Sequence, residues 1–305
     1  MEDIIFTFMT AMISLATPLL LSALGQIVTQ RSGVLNLGVE GIMLVGALAG
    51  FAGAYFTNSS VVGISIAIVS GVLLGVIIAF LTVSLGFSQP VVGIGFWFLG
   101  IGLSSVLFRV FFGLSPTPKS IQGISPIKIP ILSDIPVIGA FFQQDLLTYL
   151  TIFALVPLIY FILYRTRIGL EIRAVGENPR VADSLGIPVY RYRYLCVIFG
   201  CILASLAGAY LSMAYVKMFT DEMTAGQGWI AIALTFFSRW NPYLALFGAL
   251  LFGGAYAFAF RAQVLGIPIP YRFLLMVPYV LTLISLALLY RRALTPEGFG
   301  KPYKR

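Results

Sequence analysis

Long apolar runs broken by short polar stretches set the plan of this chain. Runs of roughly 20 apolar residues, long enough to cross a hydrocarbon core as helix, fall at residues 4–24, 35–56, 61–85, 91–112, 146–164, 195–216, 243–260 and 273–290. A further run, 229–237, is too short to cross alone. It reads either as a crossing completed by its flanks or as half of a broken helix. Pro18 falls inside the first run, where it predicts a kink. The expectation is an all-α fold: a polytopic integral membrane helical bundle of about nine spans, forming one transmembrane domain over residues 1–305. The pairs Gly46/Gly50, Gly71/Gly75 and Ala204/Gly208 place small residues four apart, which lets helix backbones approach closely in lipid.

The clearest polar interruption is residues 165–193, RTRIGLEIRAVGENPRVADSLGIPVYRYR. Its arginines (165, 167, 173, 180, 191 and 193) predict a cytoplasmic loop by the positive-inside rule. Inside it lies a short helix with its own punctuation. Asn178 suits the N-cap and Pro179 the first helical position. Val181 and Leu185 fall on one face, and Gly186, Ile187 and Pro188 form a stop signal. So short a helix is not stable alone, and its apolar stripe predicts docking to a partner protein. The basic tail RRALTPEGFGKPYKR is expected on the same side. Even parity between the two then counts 229–237 as a crossing, giving nine spans with the N-terminus outside and the C-terminus cytoplasmic. The external loop, 113–145, carries Pro116, Pro118, Pro126, Pro130 and Pro136 and is expected to be extended and stiff. It would serve as a lid, as a landing surface for an external partner, or only as a connector.

Composition sharpens this picture. The chain is 59% hydrophobic and 10% charged, with mean hydropathy +0.99, more apolar surface than a soluble domain can hide. The net charge of +8 is concentrated in the loops assigned to the cytoplasm, so it predicts no nucleic-acid partner. Histidine is absent, which removes imidazole bases and ligands; no metal or cofactor is expected. Cys196 and Cys201 read as small packing residues. No basic residue precedes Arg31, so the first run is expected to be retained rather than cleaved. There is no GxxxxGK[ST] loop and no nucleophile–base pair, so the chain is not expected to be an enzyme.

Candidate chemistry gathers in three places. In SGVLNLGVEG, residues 32–41, Asn36 and Glu40 are four apart and would share a helix face. They would either line a polar pathway or tie two helices together around an unwound turn. GIGFWF, residues 93–98, sets Phe96 and Trp97 beside flexible backbone, as a stacking platform or as lipid-facing aromatics. Tyr210, Tyr215 and Tyr256 carry the same two readings. Gln227 and Trp229, after Gly226 and Gly228, would line a pathway at a helix break or a plain connector. Arg109, Arg261 and Arg272 lie near span ends, where they can snorkel.

With these residues in view, the chain resembles the permease subunits of bacterial ABC importers. It is most similar to the branched-chain amino acid/ribose-type permease family, and within it to nucleoside and simple-sugar permeases. The likeness spans nearly the whole length. It rests on SGVLNLGVEGIMLVGA (32–47), GLEIRAVGENPRVADSLGI (169–187) and GQGWIAIALTFFSRWNPYLALFGALLFG (226–253). The second motif is specific, with Arg173, Gly176, Glu177, Asn178, Pro179, Ala182 and Gly186 as the family has them. The resemblance implies an ATP-driven importer of nucleosides or related simple sugars in the bacterial cytoplasmic (inner) membrane. A separate ABC ATPase subunit would be coupled through residues 178–186, with Arg173, Glu177, Asn178, Pro179, Val181, Ala182, Leu185 and Gly186 at the dock. A second homologous permease, forming a heterodimer, and an extracytoplasmic substrate-binding lipoprotein complete the implied assembly. Asn36, Glu40, Phe96, Trp97, Gln227 and Trp229 are the candidate substrate-pathway residues. The chain departs from the family at residues 88–97, where Trp97 stands in place of an asparagine and Pro90 is unusual; if that region contacts cargo, the departure implies a substrate other than the family's typical nucleosides. The rival reading is an ion-coupled secondary transporter, which wants several intramembrane acids where Glu40 is the one at hand; a membrane-embedded enzyme is a more distant third.

Overall fold

The computed structural model describes residues 2–113, 119–130, 133, 138–264, 271–289 and 296–303. In chain order the helices are α1 (Glu2–Arg31), α2 (Val39–Thr57), α3 (Ser60–Ala79), α4 (Gln89–Phe112), α5 (Leu146–Tyr149), α6 (Val156–Arg165), α7 (Arg167–Glu177), α8 (Pro179–Ser184), α9 (Val189–Tyr210), α10 (Gln227–Phe237), α11 (Pro242–Val264) and α12 (Tyr271–Leu289). Wider π turns extend α3 to Ser84 and α9 to Tyr215, and bridge α5 to α6. Helix occupies all nine predicted places. Among the described residues seven helices are long and apolar enough to cross a membrane, and α10 is shorter.

The centre of the bundle is α9, packed against α1, α2 and α3. The small-residue pairs explain how it gets there. A Cβ on Gly208 would meet the Met43 carbonyl oxygen of α2 at 1.8 Å, and one on Gly46 would meet the Ser205 oxygen of α9 at 2.2 Å. On the other side a Cβ on Gly71 of α3 would meet the Ile202 Cα at 2.7 Å. Backbones this close gain dispersion contacts where lipid offers no hydrophobic drive. Cys196 and Cys201 are free thiols buried on α9.

Several boundaries differ from the sequence expectation. Helix α1 runs on through Gln26, Thr29 and Gln30 because the protein itself supplies partners to the last two. Thr29 donates to the Cys196 carbonyl at 3.1 Å, and the Gln30 side-chain oxygen accepts from Thr235 (3.0 Å) and the Trp240 indole (2.8 Å). The stretch 165–193 is mostly helix rather than loop. Ile168, Ile172 and Val175 recur at helical spacing, Thr166 caps α7 by accepting from the Gly169 amide at 3.2 Å, and Arg191 and Arg193 belong to α9. Arg193 is 1% exposed and donates to the Lys301 carbonyl.

The external stretch is not simply extended. Its described parts form a two-residue ladder, β1 (Ile127–Lys128) antiparallel to β2 (Gln143–Gln144). They also lie back on the far end of α9, where Ile124 N–H meets the Met213 carbonyl at 3.0 Å and Ile121 N–H the Lys217 carbonyl at 3.1 Å. Pro116, Pro118 and Pro136 lie outside the described residues, as do Arg291, Arg292, Lys304 and Arg305. At the opposite end of the bundle, residues 296–303 rest on α7, α8 and the turn after α1.

Candidate transport site and coupling element

Two broken helices meet inside the bundle. The first break is the coil 32–38 between α1 and α2, which carries polar backbone into the protein. Several of its amides are answered by the protein: Val34 N–H by the Thr29 carbonyl, Leu35 N–H by the Gln89 side chain (2.7 Å), and Gly38 N–H by Asn36 Oδ1 (2.9 Å). Asn36 therefore lies in the coil rather than in helix and shares no helix face with Glu40. Its amide reaches back toward the Cys201 sulfur.

The second break is the segment before α10. Lys217, Glu222 and Ala225 take left-handed backbone, and Gly226 at φ +80° turns the chain into α10. Glu40, on the first turn of α2, closes this break. Its carboxylate accepts from Thr224 Oγ1 (2.6 Å), Gly226 N–H (2.7 Å) and Gly228 N–H (2.6 Å). A buried carboxylate at a helix N-terminus gains both the orphan amides and the positive end of the dipole. The absent side chain of Gly228 makes this possible, since a Cβ there would lie 2.7 Å from the Glu40 amide and from its carboxylate. The 11 residues of α10 span about 16 Å at 1.5 Å each, roughly half of a ~30 Å hydrocarbon core. The clamp thus sits near mid-depth, counted from the end that carries α8.

The six candidate pathway residues fall in one neighbourhood with different surroundings. Phe96 is buried in the core, against Gly38 and Gly41. Trp97 is half-buried and meets Trp229 edge to face, with ring centroids 5.3 Å apart and planes at 87°. Gln227 is buried with its side-chain oxygen unpartnered. Tyr256, which the sequence also let face lipid, is buried. Tyr279 of α12 donates to the Ala225 carbonyl beside it. Tyr210 is also buried and donates to Asp145 Oδ2 at 2.9 Å. Tyr215 stays exposed. Arg109 pairs loosely with Asp221 at 3.8 Å, while the Arg272 side chain lies outside the described residues. Asp145 was legible as a cap, since D-L-L-T is the N-cap spacing and Thr148 N–H does donate to it at 2.9 Å. Its further bond to Tyr210 was not.

At the other end α8 has the predicted punctuation. Asn178 Oδ1 accepts from Val181 N–H at 3.2 Å, Pro179 opens the helix, and Gly186 takes φ +81°. Ile187 N–H returns to the Ala182 carbonyl at 3.0 Å, closing the C-terminal motif. Ala182 is buried against Val175, Val189 and Tyr303. Leu185 and Val181 are 74% and 51% exposed. The helix is thus held from one side and presents its apolar stripe on the other.

Comparison with known proteins agrees with this architecture. The family described as "Branched-chain amino acid transport system / permease component" matches residues 8–289. A putative glucose ABC transporter permease protein, TsgC13 of Haloferax volcanii, is 43% identical over 264 residues, covering 85% of this chain and 78% of the relative. The guanosine ABC transporter permease protein NupQ of Bacillus subtilis is 35% identical, over 94% of this chain and 93% of its own. The nucleoside ABC transporter permease protein NupC of Lactococcus lactis is 36% identical, over 96% and 95%. A match of this length, together with relatives of this identity, makes the chain a member of the branched-chain amino acid transport system permease family.

Proposed function

We propose that the chain is the membrane-spanning permease subunit of an ATP-driven importer for nucleosides or related simple sugars. A separate cytoplasmic ATPase seats on α8, a second and similar permease completes the pathway, and an external binding lipoprotein delivers cargo. In this reading α8 and residues 296–303 face the cytoplasm of a cytoplasmic membrane and the N-terminus lies outside. The chain itself is not an enzyme; hydrolysis belongs to the ATPase. The observation that carries the reading is the exposed Val181/Leu185 stripe on a helix capped at both ends and anchored through Ala182. An apolar stripe so exposed on a helix of under two turns is explained by a partner that covers it.

Cargo specificity, in the same proposal, comes from the Trp97–Trp229 pair and Gln227, while Glu40 and Asn36 position the broken helices around them. Glu40 engages its oxygens with donors of its own chain, which also leaves it ill-suited to take up a coupling ion. ATP binding favours one of two arrangements by differential affinity, as any such switch requires. Leu185→Asp is the test. Removing ~1.5–3 kcal/mol of apolar burial should weaken capture of the ATPase by roughly ten- to a hundredfold while the permease still inserts. ATPase capture and uptake by this variant equal to the parent's would end the docking reading.

A further inference from the structure

We propose that the C-terminal strap, residues 296–303, links the coupling helix to α10, with Phe299 as the positioning residue that passes movement between them. This rests on the docking reading of α8. The strap is fastened at both ends of its course. Glu297 N–H donates to Glu177 at 3.2 Å, Gly298 N–H to the Gly176 carbonyl at 3.0 Å, and Gly300 N–H to the Gly33 carbonyl at 3.1 Å. Arg193, buried on α9, donates to the Lys301 carbonyl at 3.3 Å. Tyr303 is buried against Ala182 of α8, Val175 and Val189. The hydrogen bonds tie the strap to α7, α9 and the turn after α1, and Tyr303 is its contact with α8, so a displacement of α8 acts on the strap through Tyr303.

Between these anchors Phe299 reaches α10. Its ring meets Phe236 edge to face, centroids 6.2 Å apart at 82°, and Phe236 in turn meets Trp240 at 5.6 Å. Phe236 is on the last turn of α10. Seven to nine residues further toward the membrane centre, the same helix presents Trp229 and Gln227 and is held by Glu40. A short rigid helix with one end on the strap and the other at the proposed cargo site transmits an axial push or tilt without deforming. A parallel contact runs from Gly176 of α7, which packs on the Arg31 backbone at the end of α1, to Trp240, over which the Arg31 guanidinium stacks at 5.2 Å; replacing Phe299 leaves that contact in place.

The test uses the importer purified gently with its ATPase and reconstituted in liposomes, with N-ethylmaleimide as probe. Gln227→Cys reports the α10 N-terminus, and the two native thiols are buried. The labelling rate at this cysteine should change when ATP is trapped with vanadate. Adding Phe299→Ala should shrink that change about three- to tenfold, the reach of one edge-to-face aromatic pair, while ATP hydrolysis stays within about twofold of the parent. Phe299→Leu should restore most of the change. Phe236→Ala should reproduce the loss, and the double variant should add nothing, as two sides of one contact require. An undiminished change in Phe299→Ala overturns the proposal. So does a parent whose labelling ignores ATP while hydrolysis proceeds, or a Phe299→Ala protein that no longer binds its ATPase. If the native chain recovers no ATPase at all, the docking reading itself fails, which is a separate result.

Discussion

Replacing Glu40 by glutamine keeps the size of the side chain and removes one acceptor. The carboxylate receives three donors, two at Oε1 and one at Oε2. An amide can offer its single oxygen to the Thr224/Gly226 pair, but its NH2 then faces the Gly228 N–H. One buried backbone donor loses its partner, at roughly 1–3 kcal/mol, and the two remaining bonds fall from charge-assisted to neutral strength, about 0.5–1.5 kcal/mol each. Against this stands the relief of carrying a charge at mid-depth, ~2.5–3.5 kcal/mol on insertion scales for an acid without partners and less here, where partners are in place. The net expectation is a loss of about 1–3 kcal/mol. For a chain of this size that lowers the melting temperature by roughly 2–10 °C.

The protein supplies its own reporter. Cys196 and Cys201 are both buried, so a fluorogenic maleimide reacts as the bundle opens on heating. Glu40→Gln should shift that transition down. Glu40→Asp, with the charge intact but the carboxylate drawn back by one methylene, should shift it as well, because the three contacts of 2.6–2.7 Å cannot all be kept. Melting of both variants within about 1 °C of the parent would refute the clamp. A shift in Gln alone would mean that charge, rather than the three-donor geometry, is what matters.

Three further outcomes follow from the same contacts. Gly208→Val should fail to pack, since even a Cβ would stand 1.8 Å from the Met43 oxygen; a cost of at least ~1–3 kcal/mol should appear in the same thiol-unmasking assay. Val181→Ser, at a half-exposed position of α8, should leave melting unchanged and weaken ATPase capture by about three- to tenfold, read by titrated pull-down. Trp97→Asn, which undoes the edge-to-face contact with Trp229, should alter which of guanosine and glucose competes for uptake while the ATPase rate holds; identical competition curves would remove Trp97 from the cargo site.

The elements that the sequence made legible are those whose causes are local. Asn178, Pro179 and Gly186 fix α8 by capping and backbone preference alone, and the structure has them in those roles. Apolar run length located the spans, and the small-residue pairs marked the faces that α9 packs against. What could not be read depends on partners far along the chain. The extension of α1 to Arg31 needs Thr235 and Trp240 to receive Gln30, about two hundred residues away. The Glu40 clamp likewise needs Thr224 and two glycine amides, so spacing alone offered the Asn36/Glu40 face as readily as the unwound turn that formed. Helix α7 is different. Its Thr166 cap and its apolar spacing from Ile168 to Val175 were present to be read, but the density of arginine suggested a loop.

The distribution of close packing also says where this permease can change shape. Around α9 the backbones of α2 and α3 approach to distances that exclude even a methyl group, and interiors packed this way do not deform continuously. Movement is therefore expected in elements held by a few directed contacts rather than by interlocked backbone. Helix α10 comes nearer to that description, with its close backbone approach to α2 confined to Gly228 at its first turn. Its N-terminus is fixed to α2 by one carboxylate, while at its C-terminal end Thr235 bonds Gln30 and Phe236 meets Phe299. Because α10 spans only about half the bilayer, shifting it exposes little backbone that its own hydrogen bonds do not already satisfy. In the importer proposed above, a half-length helix between the Glu40 clamp and the strap on α8 is thus the part of the bundle that ATP-driven motion would move at least cost, and the Glu40 variants should change how far it moves as well as how stably it is held.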